Sequence, residues 1–197
     1  LTADSVVANP DFQKIKESGY QQYYYEPFTE TLKRYPVSHQ NSFELWKEGL
    51  TSGIFIPQLH GREHLNVVRW MNALQAGDEV TLHAFGQRHF GLSKLASDKL
   101  KVRYMDSFGN ASADTIAIED KVIREATDLF EKLFGFKSTS FIAPCYIWRE
   151  SVEKTLSECG VKYLQGLSLQ QIPVADNPPS VKTKYHYLGQ KNKYGQR

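Results

Sequence analysis

The chain reads as an α/β fold: a parallel sheet or barrel with helices outside. Three observations predict it. Short apolar runs alternate with amphipathic helical patterns along most of the 197 residues. The links between them are short and marked by glycines that stop helices, at Gly77, Gly135 and Gly160. Strand–helix–strand–helix order with such links favours parallel pairing through crossover helices.

The elements follow in order. "LTADSVVA" is apolar and β-branched and reads as a strand running into a helix start at Asn9-Pro10, with Asn9 as cap and Pro10 at the first helical position. "YQQYYYEPF" reads as a strand, in which Tyr23, Tyr24 and Tyr25 alternate faces. "NSFELWKEGL" is a helix with Phe43, Trp46 and Leu50 on one face, "IFIPQL" a buried strand, and "LNVVRWMNALQAG" a helix ending at Gly77. From Asp78 to Asn110 the pattern is less regular. "ADTIAIEDKVIREATDLFEKLFG" is the clearest helix, with Ile118, Val122, Leu129 and Leu133 at helical spacing. "STSFIAP" is a strand, "RESVEKTLSECG" a helix, "VKYLQGL" a strand and "IPVADNPPSV" a proline-rich loop.

One domain spanning 1–197 fits this length. The net charge of +2, with lysines and arginines scattered among acids, excludes a general affinity for nucleic acid or anionic membrane. No apolar run is long enough to cross a bilayer. Cys145 and Cys159 flank a predicted helix, which sets them too far apart for a mutual disulfide, so both are expected to be buried thiols. The first strand is expected to be cut at Leu1 and the last segment to stop short of a domain boundary. The tyrosine-rich part is expected to pack in the core, with a sugar-stacking surface as the alternative.

In such folds chemistry gathers at the carboxyl ends of strands. "HGREHLN" (His60–Asn66) follows one predicted strand and "APCYIW" (Ala143–Trp148) another. If the helix after His60 extends back over it, the i, i+4 spacing puts His60 and His64 on one face, as two ligands of a divalent ion such as zinc. A third ligand, usually a carboxylate, must then come from elsewhere. The chemistry such an ion supplies is acidification of water and polarisation of a carbonyl. Arg62 and Glu63 are expected to orient the neighbours of the metal. HGREH also matches H-x-x-E-H, in which Glu63 is the general base of a zinc peptidase; Gly61 and the strand containing Pro57 speak against the helix that pattern needs.

The chain resembles the polysaccharide deacetylases of the NodB-homology type, which are metal-dependent carbohydrate esterases. "LTADSVVANPDFQKIKESG" is similar to that family's second strand and helix. "HGREHLN" resembles its H-x-x-x-H motif with a following Asn. "FIAPCYIW" with "SVEKTLSECGVKYLQG" resembles its Pro-aromatic motif and the helix and strand behind it. The resemblance implies an irregular (β/α) barrel, often with fewer than eight strands, and removal of N- or O-acetyl groups from a polysaccharide or glycan. It implies Zn²⁺ or another divalent ion on His60 and His64, an oxyanion contact from the backbone N–H of Tyr146, and Trp148 as a wall of the acetyl or sugar pocket. It places the Asp pair of the family before residue 1 and its acid histidine on a late strand, where His186 is a weak candidate. Asp4 sits on the wrong strand for the first motif. Ile142 stands where the family has Arg, and Tyr146 comes one residue late; these departures leave a non-catalytic glycan-binding relative as an alternative. His83 and His89 read as surface histidines, and Asp106 and Asp114 as turn formers.

Overall fold

The structure is a computed structural model that describes residues 1–92, 104–175 and 180–197. The N-terminal part runs β1 (Thr2–Ser5), β2 (Ala8–Pro10), α1 (Phe12–Glu17), β3 (Tyr25–Pro27), α2 (Phe28–Leu32), α3 (Val37–Gln40) and α4 (Ser42–Thr51). Then come β4 (Ile56–Leu59), α5 (Val67–Gln75), α6 (Glu79–Gly86) and the long α7 (Thr115–Phe134). The last part holds β5 (Ser140–Ile142), a 3₁₀ turn over Pro144–Tyr146, α8 (Glu150–Glu158), β6 (Tyr163–Gln165), β7 (Leu169–Val174) and β8 (Ser180–Tyr185).

A four-stranded parallel sheet in the order β1-β4-β5-β6 carries the fold, as the α/β reading expects. Spatial order follows chain order, so each connection steps to the next strand in the same direction. Alternation along the strands turns Leu59, Phe141 and Leu164 to one face. There they pack on Ile123, Ala126 and Phe130 of α7 and on Val152 and Leu156 of α8. Burying each such side chain contributes roughly 1.5–3 kcal/mol. The opposite face is polar. Gln58 Oε1 accepts from Ser140 N at 3.1 Å and Ser140 Oγ at 2.7 Å. Gln165 Nε2 donates to Ser140 Oγ at 2.8 Å and reaches Asp4 Oδ1 at 3.5 Å. A flat sheet would hold β1 and β6 roughly 14 Å apart, beyond the reach of these two side chains. The sheet therefore curls around its polar face.

A second core lies under α1, α5 and α6. Ile15, Trp70, Met71, Leu74, Ala84 and Phe85 are buried together there. Asp11, not Asn9, caps α1: its carboxylate accepts from Lys14 N at 3.1 Å, while Ala8–Pro10 forms a ribbon with β3. The strand expected over Tyr20–Phe28 shrinks to Tyr25–Pro27, because Gly19 and Tyr20 turn the chain with positive φ. Gly77 and Gly135 terminate α5 and α7 in the left-handed region, as expected.

Three corrections have clear causes. In α7 the fully buried row is Thr115, Glu119, Ile123, Ala126 and Phe130; Val122, Leu129 and Leu133 of the expected stripe are half-buried and pack against the same core, while Ile118 is exposed. The core-facing row contains a glutamate, so an apolar tally skips it. Within Asp78–Asn110, α6 is regular, and its signal is Asp78, whose carboxylate caps Thr81 N at 2.8 Å. The two ends of the proline-rich segment pair as an antiparallel ribbon in which Pro173 meets Val181; residues 176–179 lie outside the described residues, as do 93–103. No helix among the described residues is long and apolar enough to cross a membrane. No disulfide joins Cys145 and Cys159, and both are half-buried.

Candidate metal centre

His60 follows the last residue of β4, and the pairing of the strands fixes where it starts. Its N–H donates to Ser5 O of β1 at 2.9 Å. Its Nδ1 lies 2.9 Å from Ile142 O at the end of β5. A carbonyl only accepts, so Nδ1 carries the proton and Nε2 keeps its lone pair. Metal-binding histidines are held in this way by a backbone carbonyl.

The segment from His60 to Asn66 is not helical; α5 begins at Val67. The expected one-face helical geometry is therefore absent, yet the two imidazoles meet. Gly61, at φ 104°, bends the chain where an L side chain is strained, and a Cβ there would meet Pro144 of the 3₁₀ turn. The ring centroids of His60 and His64 are 5.0 Å apart at 68°. Two imidazoles on one tetrahedral ion, with metal–nitrogen bonds of about 2.0–2.1 Å, also hold their centroids roughly 5 Å apart. His64 Nδ1 is buried without a hydrogen-bond partner. Burial and the adjacent His60 ring hold the His64 pKa below its ordinary value, which keeps it neutral and able to ligate. Gly61, Arg62, Glu63, Leu65 and Asn66 are buried while the two histidines are half-buried, so the loop presents these rings and hides the rest. The donor set fits a divalent ion as two ligands. Among the described residues, no group of three His, Cys, Asp or Glu side chains is placed to hold one.

Arg62 and Glu63 do not face the rings. Glu63 accepts from Arg62 Nε at 2.6 Å and from Nη2 at 2.7 Å. Arg62 Nη1 also donates to Glu125 of α7. The guanidinium lies over Tyr25 at 4.2 Å and Tyr23 at 5.4 Å. These tyrosines thus serve packing, not an open sugar-stacking surface. Asn66 caps α5, accepting from Arg69 N at 3.2 Å and donating to Asp106 O at 3.0 Å. Asp106 is more than a turn former: both its oxygens accept from Arg69, which pins the loop before α7 to α5.

The "APCY" turn packs beside the histidine loop. Cys145 and Tyr146 both take positive φ, 57° and 56°, a strained pair for residues other than glycine. The N–H of Tyr146 donates to Ala143 O at 3.0 Å and closes this turn. In this arrangement it is not available to an oxyanion, contrary to the expected contact. Trp148 is buried, with Nε1 on Glu153 at 3.0 Å. It walls a cleft of about 610 Å³ together with Leu164, Leu167, His186 and Tyr187; neither His60 nor His64 is part of that wall. His186 Nε2 is engaged by Gln170 Oε1 at 2.7 Å. His83 and His89 are exposed, as expected.

Glu119, unforeseen in the sequence, is buried behind the loop and accepts from Arg149 Nε at 2.9 Å. Burial, opposed by Arg149, pushes its pKa from 4.5 up to about 7. The folded state therefore keeps a proton that the unfolded chain releases near its ordinary value. This contribution is fully present below pH 4.5 and is lost as pH rises to about 7. Glu119→Gln should flatten that slope by a few kcal/mol, on the order of 1.4 per pH unit, in urea unfolding followed across this range. An unchanged slope would exclude Glu119 as its source.

No family model, curated protein or solved structure matches the chain.

Proposed function

We propose that the chain is a metal-dependent hydrolase domain that removes acetyl groups from a polysaccharide or glycan, with a divalent ion such as zinc on His60 and His64. The observation that carries this reading is the histidine pair at the strand ends: centroids 5.0 Å apart, with Nδ1 of His60 anchored on Ile142 O. When bound, the ion supplies Lewis-acid polarisation of the acetyl carbonyl and acidification of water. His60 and His64 hold and orient it. The β5 carbonyl fixes the tautomer of His60, and Pro144 borders the bend at Gly61, where an added Cβ would touch it. A carboxylate ligand and a base from outside the described residues complete the reading. The one-directional strand order and the curl that brings Gln165 to Asp4 support an irregular (β/α) barrel of the NodB type.

A protein that carries the carboxylate ligand as well should retain stoichiometric Zn²⁺ or Co²⁺ after dialysis, and His60→Ala or His64→Ala should lose it. Unaltered metal content in His60→Ala would sink the metal reading. Acetate release from an acetylated chito-oligosaccharide, with metal present, tests the chemistry. One observation favours a second reading, a relative that binds glycan without turnover: the Tyr146 N–H is committed to Ala143 O. Metal retention with saturable oligosaccharide binding and no acetate would support it. The H-x-x-E-H peptidase finds no support in the geometry, because the segment is not helical and Glu63 is turned to Arg62.

A further inference from the structure

We infer that Arg62 is the positioning residue of the histidine loop, and that its contact with Glu125 sets the angle at which His60 and His64 face each other. This rests on the metal reading for its function but not for its geometry. Arg62 lies between the two histidines in sequence, and its carbonyl, its guanidinium face and its Nη1 each tie the loop to a different part of the fold. Its carbonyl accepts from Val7 N at 3.1 Å and Ala8 N at 2.7 Å, which fastens the loop to the β1–β2 link. Its guanidinium stacks over Tyr25 of β3 at 4.2 Å. Nε and Nη2 form a fork on Glu63, and Nη1 crosses to Glu125 of α7. Only 5% of the side chain is exposed, so these contacts work in a dry environment where charge-assisted bonds are strong.

The arrangement exceeds what local stability asks for. Glu63 alone would neutralise a buried arginine, and the fork already satisfies Nε and Nη2. The further bond to Glu125 joins the loop to the helix that packs under the sheet. Since α7 lines the core beneath Leu59, the residue before His60, the histidines are held against the same helix from both sides: through the sheet and through Arg62. Lysine cannot replace this. It offers one point charge where the site uses a planar fork, a stacked face and a third donor direction.

Two variants and two readouts test it. Glu125→Gln takes the charge out of the tether and leaves at most a neutral hydrogen bond, at a side chain that is 27% exposed, and keeps the Arg62–Glu63 pair. Arg62→Lys removes the fork and the stacking but keeps a charge. Both are compared with the unmodified chain by Co²⁺ titration and by the imidazole NMR signals of the two histidines in the metal-free protein. Glu125→Gln should leave the circular dichroism and unfolding midpoint close to those of the unmodified chain. It should shift both imidazole signals and weaken Co²⁺ binding about 10–100-fold, the range for partners that orient metal ligands. Arg62→Lys should do the same more strongly. If folded Glu125→Gln keeps the imidazole signals and Co²⁺ affinity of the unmodified chain, the inference is overturned. If the unmodified protein binds no Co²⁺ even with the carboxylate ligand present, the metal reading fails, and the imidazole signals alone decide the role of Arg62: a shift upholds it and unchanged signals reject it.

Discussion

Trp70→Ala should destabilise the protein by about 3–5 kcal/mol, the range for removing a buried indole, as measured by the shift in the urea midpoint at constant m-value. Trp70 has no solvent exposure and sits where four elements meet. Its ring lies 5.9 Å from Phe12 of α1, 6.4 Å from Tyr23 before β3 and 5.6 Å from Phe85 of α6. No single neighbour can collapse into the space, because each is held by a different element. Trp70 Nε1 has no hydrogen-bond partner. Trp70→Phe therefore removes a donor that brings no gain while keeping most of the ring, and should cost under about 2 kcal/mol. Equal losses in the two variants would mean that the indole is not packed as described.

Glu63→Gln should cost about 3 kcal/mol or more. A buried ion pair broken from one side leaves an uncompensated charge, which typically costs about 3–5 kcal/mol. Glu63 is 1% exposed, and both its oxygens are used by Arg62. The bond from Arg62 to Glu125 survives the change, which places the expected cost toward the low end of that range. The variant also separates two chemistries. A general base of the peptidase kind, changed to glutamine, loses hydrolysis with its fold intact. A structural partner loses stability first. An unchanged unfolding midpoint together with abolished hydrolysis of a peptide would reverse the assignment made here for Glu63.

The α/β class and much of the element order were legible because their signals are local. Gly77, Gly135 and Gly160 mark real helix ends, and the strands before His60 and Ala143 stand out as apolar runs. What was hidden depends on partners far along the chain. The buried row of α7 includes Glu119, whose tolerance comes from Arg149 on another element. The short helices α2 and α3 have too few residues for a period to show. Pro173 suggested a loop, yet a two-stranded ribbon accommodates it at an edge. In the candidate site, the spacing of His60 and His64 pointed to the pair, but for the wrong reason. A helix was expected to align them, whereas a bend at Gly61 does so. The inward turn of Arg62 and Glu63 could not be read locally, since Tyr23, Tyr25 and Glu125 create the niche that takes them.

The order of strands along the sheet carries a consequence for how the chain assembles. β5, α8 and β6 occupy one continuous stretch, Ser140–Gln165, so joining them closes a short loop. β1 must instead find β4 across α1 to α4, and β4 must find β5 across α5 to α7. Closure entropy rises with the length enclosed, and distant pairings slow folding. The stretch from α7 to β6 is thus the expected early nucleus. The histidine loop depends on Ser5, Ile142 and Glu125 all being in place, and so belongs to the last stage. Amide protons of that loop should gain protection late in pulse-labelled refolding, after those of α7 and α8. A metal ion would then meet its two imidazoles only once the rest of the chain is native, so that ligand capture reports on completed folding.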